Sequence, residues 1–140
     1  MPHSSLPLVY SCSGCSNVAQ LANTLAVRLD RTGLAEMSCI AGVGGGVQAL
    51  VSKAKSGRPI LAIDGCPLHC VSACLAQHGI GADVHVTLSS YGLRKRYGQS
   101  CDEEQADGLF ERMRRLIASD LSPRRHRSPA DQAATPKAQG

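Results

Sequence analysis

Four short apolar runs alternate with four amphipathic stretches along most of the chain. The runs are LPLVYS (6–11), AEMSCIA (35–41), PILAID (59–64) and DVHVTLS (83–89), each of strand length and only the last with partial alternation. After the first run, Val18, Leu21, Ala22, Leu25, Ala26 and Leu29 recur at helical spacing, and Gly33 supplies a stop. Val47, Leu50, Val51 and Ala54 predict a second helix, ended by Ser56 and Gly57 ahead of Pro59. A third is expected from Pro67 to Gln77, stopped by Gly79. The last, over 102–119, buries Leu109, Phe110, Met113, Leu116 and Ile117. Asp102, Glu103 and Glu104 occupy its first turn, where the helix dipole favours acids.

The order βαβαβαβα with short apolar strands predicts an α/β fold, a small doubly wound parallel sheet covered by helices on both faces. Right-handed crossovers and the common doubly wound order place about four strands as 2-1-3-4. One domain is expected over residues 1–121. Beyond it, 122–140 contains three prolines and no apolar periodicity, which predicts a disordered basic tail rich in Pro and Ala.

Composition narrows the picture. Aromatic residues make up 3% of the chain, so the core must be built from Leu, Ile, Val and Ala. The net charge is +4, and half of it lies in residues 120–140, where Arg124, Arg125, Arg127 and Lys137 outnumber Asp120 and Asp131. That balance gives no basis for nucleic-acid binding. No segment approaches membrane-spanning length, and the opening residues MPHSSLPLVYSC lack the basic and apolar regions of a signal peptide. A cytoplasmic location is expected. In a reducing compartment, seven cysteines point to metal or redox chemistry more than to disulfides.

The cysteines fall where strands stop. Cys12 and Cys15 follow the first strand, Cys39 lies near the end of the second, and Cys66 and Cys70 follow the third. Carboxyl ends of parallel strands share one edge of the sheet. Strands are spaced by about 4.8 Å, and sulfurs on a tetrahedral Zn²⁺ stand about 2.3 Å from the metal. Thiols on adjacent strand ends therefore fit around one ion. Pro67 suits a first helical position, which makes Cys66 the cap of that helix and sets Cys70 one turn on. Cys74 and Cys101 read as packed thiols. His69 is adjacent to the cluster but points elsewhere in helical register, toward solvent, while His3, His78, His85 and His126 offer no partner pattern. Asp64 suits loop amides better than a metal already surrounded by thiolates.

YSCSGCS, MSCIAGVGGG and IDGCPLHC, in that order, resemble the DGC-domain family, described as zinc-binding and named for the triplet seen here as Asp64, Gly65 and Cys66. The resemblance covers roughly residues 7–95. It implies a cysteine-rich domain that chelates zinc through four cysteines drawn from Cys12, Cys15, Cys39, Cys66 and Cys70, without saying which four. A metal-handling or partner-recognition role follows more readily than catalysis, since a closed Cys₄ site leaves no position for activated water.

Two alternatives use the same stretches. Four cysteines also suit an iron–sulfur cluster, and SCSGCS between strand and helix has the placement of a thioredoxin-like C-x-x-C. AGVGGGV after a strand resembles a dinucleotide fingerprint, with Asp64 where a ribose-binding acid would fall, but Val47 occupies the third glycine position. A phosphatase loop fails because Val18 stands where its arginine belongs.

Overall fold

A computed structural model describes residues 6–121. Four strands, β1 (Leu8–Ser11), β2 (Glu36–Met37), β3 (Ile60–Asp64) and β4 (Val84–Thr87), pair in parallel in the order β2-β1-β3-β4. This is the expected order. In register, Leu8 pairs with Glu36 on one side and Ile60 on the other, and Asp64 pairs with Thr87. The carboxyl ends of β1, β3 and β4 thus finish nearly level.

Side chains alternate across the sheet and define two cores. Val9, Leu61, Ile63, Val84 and Val86 face α1 (Asn17–Arg31) and α5 (Glu103–Asp120), meeting Leu21, Leu25, Leu29, Met113 and Ile117. Leu8, Tyr10, Ile60 and Ala62 face the other way. There they pack on Val43 of α2 (Ile40–Gly44), Ala54 of α3 (Gln48–Ala54) and Val71 and Leu75 of α4 (Cys70–Ala76). Both faces of β1 and β3 are covered, which explains why their sequences do not alternate. Among the described residues no helix is long and apolar enough to cross a membrane. The expected tail, 122–140, lies outside the described residues, as do His3 and His126.

Two elements depart from the sequence reading. The second strand was expected over 35–41, but pairing stops at Met37 and the chain enters α2 at Ile40, with Cys39 as its N-cap. β2 is an edge strand with one partner, and the following glycines serve helix packing. A Cβ on Gly42 would come within 2.0 Å of Leu50, and one on Gly44 within 2.8 Å of the Cys74 sulfur. These positions let α2 lie close to α3 and α4. The helix expected from Pro67 is α4, which begins at Cys70. His69, not Cys66, is its cap, held in the left-handed region at φ 53° and ψ 50°. That conformation ends the CPLH turn and is costly for a residue with a Cβ.

Candidate metal centre

Three chain segments build one cavity at the carboxyl edge of the sheet. The first is the loop after β1. Cys12 is tied to β3 by its backbone N–H, which donates to the Ile63 carbonyl at 3.1 Å, and it is half-buried. Cys15 is exposed three residues later. Ser16 then starts α1, its Oγ accepting the Ala19 N–H at 3.1 Å.

The second segment is the loop after β3. Gly65 lies against the first turn of α1, where an added Cβ would stand 2.8 Å from both the carbonyl carbon and the oxygen of Val18. Only glycine allows this approach without moving backbone. It brings Cys66 up to the first loop and lets the Gly65 N–H donate to the Cys12 Sγ at 3.2 Å. Cys12, Cys15, Cys66 and Cys70 line one cavity of about 180 Å³ with Gly65, Leu68 and the start of α1. Burial, together with the nearby Asp64, Cys70 and Cys66, pushes the Cys12 thiol up to about 11, against the Gly65 hydrogen bond that lowers it.

A buried polar network fixes the second loop from beneath. Asp64 is 1% exposed, and its Oδ1 accepts the Val71 N–H at 2.9 Å. Its Oδ2 lies 2.8 Å from Nε2 of His85, itself buried on β4. His69 bonds Thr87 through Nε2 at 3.0 Å and stands edge-on to the His85 ring, with centroids 4.7 Å apart. His69 is therefore half-buried and engaged, not turned out to solvent as its register suggested. His85 and Thr87 are the residues that sequence reasoning passed over. Their signal was the position of β4 beside β3, which brings His85 and Thr87 next to the DGC loop. Asp64 thus holds amides of α4, Val71 and Ser72, rather than the loop amides expected of it.

The third segment, Arg94–Tyr97, crosses the mouth of the cavity. Asn17 clamps it: Nδ2 donates to the Arg94 carbonyl at 3.0 Å, Oδ1 accepts the Arg96 N–H at 2.6 Å, and the Asn17 N–H meets the Arg96 carbonyl at 2.9 Å. Tyr97 adds an antiparallel bridge to Ser16. Lys95 and Tyr97 line the thiol cavity. The Lys95 ammonium sits 3.5 Å from the Cys66 sulfur and 4.9 Å from the Tyr97 ring centre. Hydrogen bonding to Tyr97, and then to Cys66, holds its pKa above the ordinary lysine value.

The other thiols stand apart. Cys39 is exposed at the start of α2 and does not line this cavity. Cys74, on α4, packs against Gly44 of α2, and burial raises its pKa. Cys101 lies against the α1–α5 core, 3.8 Å from the Thr24 hydroxyl. As the side chains stand, no three His, Cys, Asp or Glu among the described residues close on a single point. The four cavity thiols nonetheless suit a soft-metal site in kind. Each is a sulfur donor, no carboxylate among the described residues lines the cavity, and Asp64 is committed to α4. Cys15 and Cys70 are exposed, with room to change rotamer.

The model of the DGC domain matches residues 8–113. This chain belongs to the DGC-domain family. The DGC match spans all four strands and reaches into α5, so it includes each cysteine and the Arg94–Tyr97 segment. The chain is also 65% identical over 116 residues to the anaerobic and virulence modulator AnvM of Pseudomonas aeruginosa strain PAO1. The alignment takes in 83% of this chain and 88% of that protein. No solved structure matches the chain.

Proposed function

We propose that this DGC domain binds one zinc ion through Cys12, Cys15, Cys66 and Cys70, with Cys39 outside the ligand set. The observation that carries the reading is the shared cavity: four thiols from two loops line it, and the loop carboxylate is turned away to hold α4. Zinc would neutralise thiolate charge there and tie the β1 and β3 loops together. Cys12 and Cys15 supply sulfurs from one wall, and Cys66 and Cys70 from the other. Gly65 sets the separation of the walls, and His69 with Asp64 fixes where Cys70 starts its helix. Four thiolates leave no coordination position for water, so the role is metal handling or recognition of a partner by a metal-ordered surface. The relative's name describes a modulator, which agrees with a regulatory rather than catalytic role.

A second reading uses the same residues for an iron–sulfur cluster or a thiol–disulfide couple. The word anaerobic in the relative's name favours it, because both are sensitive to oxygen. Metal content and an absorption spectrum separate the two, on untagged protein purified without oxygen or chelator. About one zinc per chain with no visible absorption is the expected result. Iron with acid-labile sulfide and a brown colour would replace zinc by a cluster. Neither metal, with a reversible disulfide in the cavity, would make it a redox protein.

A further inference from the structure

Four thiolates around a divalent ion leave two surplus negative charges, and Asp64 adds another nearby. Such a centre needs a cation at hand. Among the described residues, Lys95 is the charged one lining the cavity, and its ammonium already reaches Cys66. The Asn17 clamp and the Ser16–Tyr97 bridge hold Arg94–Tyr97 against the start of α1. Alternate residues of this segment line different cavities. Lys95 and Tyr97 face the thiols, while Arg94 and Arg96 line a separate polar cavity of about 480 Å³. One of three neighbouring cations is thus selected for the thiol site.

We infer that Lys95 is the counter-charge of the four-thiol centre and sets how tightly and how long that centre holds its metal ion. The inference rests on the zinc reading above. Lys95 is not a metal ligand. Its ammonium donates to the sulfur of Cys66 and offsets the charge the ion leaves uncompensated, as outer-shell donors do in thiolate sites. Arg94, one residue away and of equal charge, contributes no such contact because it faces the other cavity.

The test is zinc affinity and release rate on the full chain, measured by competition with a chromophoric chelator, for wild type, Lys95→Met, Lys95→Arg and Arg94→Met. Lys95→Met should bind zinc about 10–100-fold more weakly and release it correspondingly faster. Lys95→Arg should retain most of the affinity, since it keeps the charge. Arg94→Met, which loses the same net charge, should stay within about threefold of wild type. Added salt should narrow the difference between wild type and Lys95→Met, because it screens the charge that Lys95 supplies. Far-UV circular dichroism checks that the fold persists. Equal affinities for wild type and Lys95→Met, each with one zinc, overturn the inference and leave the zinc reading standing. A loss in Arg94→Met as large as in Lys95→Met assigns the effect to general charge and also overturns it. A wild type that takes up no zinc defeats the zinc reading itself, and the inference with it.

Discussion

The loops after β2 and β3 invite comparison. Both leave a parallel strand at the same edge, both carry a cysteine, and both lead into a short helix. Their outcomes differ. In the β3 loop, Gly65 draws the backbone against α1, Asp64 pins the helix that follows, and two thiols face the cavity. In the β2 loop, the N-cap Cys39 makes no side-chain cap hydrogen bond and is exposed, and the glycines serve packing on α3 and α4. Position at a strand end is therefore not enough to bring a thiol into the shared cavity. What decides is whether the backbone after the strand bends toward its neighbour's loop or away into a helix.

The sharpest way to break this contrast is to remove thiols one at a time. Replacing Cys12, Cys15, Cys66 or Cys70 by Ser should weaken zinc binding on the order of 100-fold or more, about a quarter of the free energy of a four-cysteine site. Cys39→Ser should leave affinity nearly unchanged. Chelator competition measures both, and a Cys39 effect equal to the others would erase the distinction between the loops. Asp64→Ala strands two buried partners, the Val71 N–H and the His85 ring. It should cost about 2–4 kcal/mol in urea unfolding of the metal-free protein.

Gly65→Ala forces a Cβ into the Val18 backbone and should cost about 1–3 kcal/mol. Gly44→Ala meets the Cys74 side chain rather than backbone and should cost less. Equal losses at the two glycines would mean that the β3 loop is no more tightly fitted than the β2 loop.

The contrast also has a pH dependence. Cys12 is raised from 9.0 to about 11 by burial, so the fold favours its protonated form. That contribution is complete below pH 9 and is lost as pH rises toward 11. The urea midpoint of metal-free protein should fall across this window, and Cys12→Ser should flatten the decline.

The sheet was legible because its signals are local. Apolar runs of strand length separated by helical periodicity specify β1 and β3, and fold statistics supply the strand order. The gathering of thiols at the carboxyl edge was legible for the same reason. Three features were not. Ile40–Gly44 reads as strand and glycine loop because α2 owes its existence to Leu50 and Cys74, which touch it only after folding. CPLH reads as a helix start because Pro67 suits that position, whereas Asp64 and Thr87 stabilise a turn with His69 left-handed. Lys95 carries no motif at all. Its place above Cys66 depends on Asn17, which grips a segment 77 residues further on.

That long-range grip has a consequence for the nascent chain. The Cys12–Cys15 pair leaves the ribosome first, Cys66 and Cys70 follow, and Lys95 comes last. At about 5–20 residues per second, the first pair waits roughly 4–16 s before Lys95 is made. During that interval the two thiols are exposed to soft metal ions and oxidants before the residues that complete the cavity exist. Synthesis is therefore the stage at which the fold protects these cysteines least.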